Sequence, residues 1–213
     1  MNKIVIVGGG IVGVSTAYQI AEKSPKCQIT LIEKESELAA HQTGHNSGVI
    51  HSGIYYKPGS SKAKNCSRGY DFLIEFCEKH HIPFELCGKV IVATEASQIP
   101  ALEKLYQRGI ENGLEGLTWL DENGIKEKEP HTRGVKGIFV PHTGIVGYRR
   151  VTDKMRELLS QKEGVEFRMN EAVTGFNIED GKVLVITDKG QYEADQVINC
   201  AGLYCDKIAE MAG

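Results

Sequence analysis

Residues 3–7, Lys-Ile-Val-Ile-Val, form a short β-branched run that ends in glycines, the pattern of a strand buried on both faces. From Ile11 to Lys23 apolar residues recur at helical spacing, and Ser24-Pro25 stops the pattern. Gln28 to Glu33 reads as a second strand. Strand, helix and strand within the first 33 residues make a βαβ unit, the opening of a doubly wound sheet.

Periodicity then vanishes over residues 39–60, which are rich in Gly, His and Ser. So long an irregular connection inside a compact domain points to function. A helix is predicted from Ser61 to His80, with Tyr70, Leu73, Ile74 and Cys77 on one stripe. Next come a strand (Lys89–Thr94), a helix (Ser97–Asn112) and short strands near 117–120 and 136–140, which read as an insertion. An amphipathic helix over 151–161 precedes strands at Val165–Met169, Val173–Ile178, Lys182–Thr187 and Gln191–Asp195. Glu179-Asp-Gly-Lys182 is a hairpin-turn sequence. The apolar run Gln196–Cys200, ending in Ala-Gly, reads as a buried parallel strand meeting a ligand. No repeat or low-complexity linker interrupts the chain.

The 213 residues are 41% hydrophobic and 25% charged, with 24 Gly and 6 Pro, an ordinary globular composition. A net charge of -3 gives no reason to expect nucleic acid as partner. No apolar run approaches the roughly 18–20 residues of a membrane span. Residues 4–14 contain four glycines and lead into no cleavage site, so they do not read as a secretion signal. Six cysteines (27, 66, 77, 87, 200, 205) lack CxxC spacing, so no metal site is expected and the thiols read as reduced and cytoplasmic.

Gly8, Gly10 and Gly13 spell G-x-G-x-x-G where the first strand meets the first helix. Gly8 permits a tight turn, Gly10 lets backbone approach a pyrophosphate, and Gly13 lets the helix pack close to the sheet. The helix N-terminus offers unpaired amides and the positive end of its dipole. Glu33, 20 residues beyond Gly13, can accept hydrogen bonds from ribose hydroxyls and repel a 2′-phosphate. This fingerprint alone does not separate NAD from FAD; a long His/Gly loop in place of a short third strand argues against an NAD-dependent dehydrogenase.

These features resemble the D-amino-acid-oxidase-like family of FAD-dependent oxidoreductases, along the whole chain. The resemblance implies an α/β fold with a discontinuous Rossmann-like FAD-binding domain and an inserted, incomplete α+β substrate domain. The expected divisions are 1–80 with 150–213 for the first and 81–149 for the second. It also implies that Glu171-Ala-Val173 lies beside the adenine and that Asn199-Cys-Ala-Gly202 returns the chain to the pyrophosphate. The residues expected on FAD are Gly8, Gly10, Ile11, Val12, Gly13, Glu33, Lys34, Thr43, Asn46, Ser47, Gly48, Val173, Ala201 and Gly202.

Within that family, Gly44-His-Asn-Ser-Gly-Val-Ile-His-Ser-Gly-Ile-Tyr-Tyr56 and Pro141-His-Thr-Gly-Ile-Val-Gly-Tyr148 are similar to the branch that oxidises L-2-hydroxyglutarate. Gly147 departs from that branch's pattern, which has an acidic residue there. Members are longer than this chain, so a truncated form is expected, lacking the segment that closes over the flavin and binding FAD poorly or inactive alone.

The resemblance implies oxidation of L-2-hydroxyglutarate to 2-oxoglutarate, with hydride passing to flavin N5. His51 is the first candidate base or flavin partner, because an imidazole titrates near neutral pH; His45 is the second. Relatives also allow a histidine of this loop to attach covalently to FAD. Ser47, Gly48, Ser52 and Gly53 can bring amides to the cofactor, while Tyr55, Tyr56, Lys57, His142 and Arg149 are candidate carboxylate anchors. Amine, amino-acid or glycerol-3-phosphate oxidation and a non-catalytic nucleotide-binding fragment are the alternatives. Oxygen, a quinone or an electron-transfer protein all remain as electron acceptor, and peripheral membrane association stays open.

Overall fold

The computed structural model describes residues 2–179 and 181–213. Strands β1 (Lys3–Val7) and β2 (Gln28–Ile32) pair in parallel, with Lys3 opposite Gln28 and Val7 opposite Ile32. Helix α1 (Ile11–Lys23) joins them and buries Gly13, Val14, Ala17 and Ala21, small residues that let it lie close to the strands. It ends where the Ser24 amide donates to the Ile20 carbonyl, with Lys23 in the last turn to suit the helix dipole.

The chain divides into two compact units, residues 1–46 with 148–213 and residues 47–147. The second unit holds β3 (Val49–Ile50), α2 (Ser61–Lys79), β4 (Phe84–Glu85), β5 (Lys89–Ala93), α3 (Ile99–Glu111), β6 (Thr118–Leu120), α4 (Glu122–Lys128), β7 (Lys136–Val140) and β8 (Gly144–Val146). Its strands make two antiparallel sheets of three, β3-β8-β4 and β5-β7-β6. Ile54, Ala93, Leu102, Leu117, Ile138 and Val140 form its core. Caps start two of the helices: Ser60 Oγ accepts from the Ala63 amide and Asp121 Oδ1 from the Gly124 amide. Residues 47–80, read with the first domain from the sequence, cluster here because β3 pairs with β8 and helix α3 holds loop 53–56 by hydrogen bonds.

The chain returns to the first unit through α5 (Tyr148–Ser160), β9 (Val165–Arg168), β10 (Val173–Glu179), β11 (Lys182–Thr187), β12 (Gln191–Ala194), β13 (Gln196–Asn199) and α6 (Cys205–Ala212). The main sheet is all parallel, in the order β13-β1-β2-β9. Alternation along its strands sorts two cores. Ile4, Ile6, Ile29 and Leu31 pack with Val14, Ala17 and Ala21 of α1 and Leu159 of α5. Val5, Val7 and Ile32 pack with Val173 and Val185 of the antiparallel β10-β11-β12 sheet and Ile208 of α6. The fold is therefore the expected mixed α/β arrangement around a Rossmann-like parallel sheet. The turn expected at 179–182 includes Asp180, which lies outside the described residues.

A buried carboxyl pins the start of β10. Glu171 is 4% exposed, and the hydroxyls of Thr187 and Tyr192 both donate to it. Its amide donates to the Glu33 carbonyl at 3.0 Å, so the end of β2 and the antiparallel sheet share one joint. Glu171→Ala leaves the Tyr192 hydroxyl without its acceptor and the Thr187 hydroxyl with only the Gly190 carbonyl, and is expected to cost about 1.5–3 kcal/mol of stability. Chemical denaturation checks this, with Glu171→Gln expected to lose less.

Candidate functional site

The glycine loop is closed on two sides and open on a third. Gly8 has φ +111 and donates its amide to the Ile32 carbonyl at 2.8 Å. A Cβ on Gly8 would stand 2.3 Å from the Cys200 carbonyl oxygen, and one on Gly13 would stand 1.9 Å from that of Gly8. Neither contact is possible for a side chain. Gly10 differs: the one atom near its added Cβ would be Thr43 Oγ1, at 3.3 Å. That hydroxyl accepts the Ile11 amide at 2.9 Å. The amides of Val12 and Gly13 lie in the first turn, where no helix carbonyl reaches them, and the Val12 side chain is exposed.

Glu33 closes the loop from the β2 side. Its Oε2 accepts the Gly9 amide at 2.6 Å and its Oε1 accepts the Glu35 amide at 2.9 Å. Each oxygen keeps a further lone pair for a ligand hydroxyl. Lys34 stands beside it, paired with Glu35 Oε1 at 3.0 Å and 4.5 Å above the Tyr204 ring. The hydrogen bond to Glu35 is the largest cause raising the Lys34 pKa. His41 Nε2 meets the same Glu35 oxygen at 3.0 Å.

Residues 39–46 fold back onto this loop. The Ala39 amide donates to the Gly9 carbonyl, and Ala39 holds φ +59, a strained value for a residue with a Cβ. Asn46 donates to the carbonyls of Gln42 and Thr43, and His45 Nδ1 lies 3.0 Å from the His41 carbonyl oxygen. From the other side β13 delivers Cys200, whose amide donates to the Val7 carbonyl at 2.8 Å. Ala201 follows against Gly8, and Gly202 has φ +58 with open space around its Cβ position. Gly8, Gly10, Ile11, Val12, Gly13, Glu33, Thr43, Ala201 and Gly202 thus gather at the carboxyl ends of β1, β2 and β13. Val173 sits nearby in the chain's own terms, two residues beyond the Glu171 joint to Glu33, and is buried.

Ser47, Gly48 and His51 belong to the second unit, whereas His45 belongs to the first, so the two candidate histidines are held by different units. Gly48 accepts the Val146 amide at 2.8 Å and has φ +70. Ser52 is buried and accepts a hydrogen bond from the Thr143 hydroxyl. Asn112 donates to the carbonyls of Gly53 and Tyr56, and Arg108 to that of Tyr55, so the loop is fixed along its length. His51 lies at its surface. Desolvation first, and then the Lys89 charge, hold its pKa below the ordinary 6.5, leaving a neutral imidazole at pH 7. The Cys66 thiol donates to the His51 carbonyl at 3.3 Å.

Among the candidate anchors, Arg149 lies in the first unit and is engaged by Glu37. Two groups went unread in the sequence. Tyr204 joins Lys34 only because β13 ends beside β2's neighbour β1, and Lys89 meets Tyr55 across 34 positions of chain. No spacing signals either pair. Among the described residues there is no cluster of His, Cys, Asp or Glu able to hold a metal, and no helix is long and apolar enough to cross a membrane.

A glycine loop at the carboxyl edge of a parallel sheet, with an acid ending the neighbouring strand, defines a dinucleotide-binding fold. The chain belongs to the DAO family of FAD-dependent oxidoreductases, whose profile matches residues 3–213. It is 47% identical over 209 residues to the L-2-hydroxyglutarate dehydrogenase of Indibacter alkaliphilus, covering 98% of this chain and 52% of that protein. It is 44% identical to the Escherichia coli K12 protein of the same name, covering 100% and 50%. The mitochondrial Homo sapiens protein of that name is 45% identical, with 99% and 48% covered. The chain therefore spans about half the length of these relatives.

Among solved structures, an FAD-bound L-α-glycerophosphate oxidase from Mycoplasma pneumoniae superposes with a TM-score of 0.85 at 29% identity, covering 100% of this chain and 57% of that one. A glycine oxidase from Geobacillus kaustophilus superposes at 0.84 with 16% identity, covering 99% and 58%, a likeness of fold alone.

The arrangement at Glu33 gives a direct test. Glu33→Ala removes the clamp on Gly9 and the carboxylate expected to meet a ribose, so FAD affinity is expected to fall about ten- to a hundred-fold. Titration followed by flavin fluorescence reads this; an unchanged affinity would separate Glu33 from the cofactor.

Proposed function

We propose that this chain holds FAD against its glycine loop and takes part in oxidising L-2-hydroxyglutarate to 2-oxoglutarate. The observation that carries the cofactor reading is the cradle itself: Gly8 and Gly13 admit no side chain, while a Cβ on Gly10 would meet only the Thr43 hydroxyl, at 3.3 Å. The substrate reading is supported by 42–47% identity to L-2-hydroxyglutarate dehydrogenases along nearly the whole chain.

In this reading the amides of Gly10 to Gly13 and the α1 dipole bind the pyrophosphate, and Glu33 accepts from ribose. The backbone at Val173 lies along the adenine, and Ala201 and Gly202 close the cradle from β13. Lys34, Thr43 and Asn46 shape its rim, and Ser47 and Gly48 are candidate amide donors to the same cofactor. FAD held there would supply the two-electron acceptor for oxidation of the hydroxy acid, its flavin N5 being the hydride acceptor. His51 takes the hydroxyl proton on a ring nitrogen, and its neutral form suits that task. Six unpaired cysteines suit a reducing compartment such as the cytoplasm.

Glycerol 3-phosphate is the second reading, favoured by the likeness to the glycerophosphate oxidase. An FAD-loaded protein of the full length of the relatives, mixed without oxygen with L-2-hydroxyglutarate, glycine and glycerol 3-phosphate in turn, decides among them. Loss of the flavin's visible absorption with L-2-hydroxyglutarate alone is expected; loss with either of the others instead overturns the substrate. A chain that takes up no FAD on titration overturns the cofactor reading.

The His51 role predicts a pH profile. A base must be unprotonated, and a depressed pKa keeps it so until the pH falls below the ordinary 6.5. The acid limb of kcat/KM for L-2-hydroxyglutarate is therefore expected below that value. His51→Asn should abolish this limb; a profile unchanged in His51→Asn removes the residue from proton transfer.

A further inference from the structure

The second unit contains a lysine whose surroundings leave its charge unanswered. Lys89 opens β5 and is half-buried, with Nζ 4.3 Å from the centre of the Tyr55 ring. Among the described residues no Asp or Glu lies within ion-pair distance of it. Four other lysines, Lys34, Lys136, Lys154 and Lys162, each meet a carboxylate at 2.6–3.1 Å.

Nor do its near neighbours carry negative charge. Burial pushes the Cys66 thiol and the Tyr55 phenol up, so both remain protonated, and His51 is neutral. The same burial lowers the Lys89 pKa. Aromatic contact alone accounts for part of this, since an ammonium above a ring gains some attraction. It does not account for withholding a counter-ion from a partly desolvated cation, which is costly.

The frame around Lys89 is rigid. The preceding Gly88 donates its amide to the Thr143 carbonyl at 2.8 Å, and the Thr143 hydroxyl donates to Ser52, next to His51. Lys89 itself lies opposite Val140 in the β5–β7 ladder. The strand that carries Lys89 is thus tied by hydrogen bonds to Thr143 and, through it, to Ser52, the chain neighbour of His51, an arrangement that favours binding an anion with little reordering.

We propose that Lys89, seated on Tyr55 beside His51, is a binding residue for a carboxylate of the substrate, the counter-ion that the chain itself does not provide. The identity of that anion as a 2-hydroxy dicarboxylate rests on the function proposed above; the anchor itself does not.

Calorimetric titration of the whole chain with 2-oxoglutarate, and separately with glycerol 3-phosphate, tests both parts. Affinity for 2-oxoglutarate is expected to fall about ten- to a hundred-fold in Lys89→Gln and to be largely kept in Lys89→Arg. Amine-selective acylation read by mass spectrometry gives a second measure on the unmodified sequence, with 2-oxoglutarate expected to protect Lys89 and leave Lys62 unaffected. Binding and protection by glycerol 3-phosphate alone, lost in Lys89→Gln, would keep the anchor and reject the dicarboxylate. Equal affinity in Lys89→Gln, or neither binding nor protection by either anion, overturns the proposal.

Discussion

Two backbone carbonyls organise the first unit. That of Gly8 lies where a side chain on Gly13 would be, and that of Cys200 lies where one on Gly8 would be. Through the first contact α1 drops onto the end of β1 and aims its N-terminus at the sheet's carboxyl edge. Through the second, β13 comes in beside β1 although nearly the whole chain separates them. A single methyl group at either position would push the helix or the returning strand away. The loop's geometry and the closure of a discontinuous unit are one constraint.

Glu33 extends that constraint outward. It ends β2, clamps Gly9 through one oxygen and steadies Glu35 through the other. Its carbonyl receives the Glu171 amide, and Glu171 is held in turn by Thr187 and Tyr192. The acid that a nucleotide's ribose would meet is therefore set from two directions, by the glycine loop and by the antiparallel sheet. The Glu33 carboxylate is thus a structural clamp in its own right, fixed by the Gly9 and Glu35 amides.

Much of this was readable beforehand because it is local. The β1-α1-β2 boundaries follow from β-branched runs, helical spacing and the Ser24-Pro25 stop, all within a few residues of one another. The helix expected from 151 begins at Tyr148, and α6 went unread because its eight residues follow a strand already taken as the chain's last signal. Strands β3 and β4 are two residues long, too short to show a period of two, and they exist only because β8 lies between them. Nothing near residue 46 announces the division between units, since β3 finds its partner almost a hundred residues on. The glycine turn and the acid ending β2 were legible by spacing; the Lys34–Tyr204 and Lys89–Tyr55 pairs were not, because each joins segments that only the folded sheets bring together.

The loop between β2 and α2 shows why one irregular segment can serve two frameworks. Residues 39–46 are anchored by Gly9 and Ile11, within the first unit. Residues 48–56 are anchored by Val146, Asn112 and Arg108, within the second. A regular helix or strand could not make this exchange, because its backbone groups would already be spent on its own ladder. Irregularity leaves those groups free to bond to two different neighbours in turn.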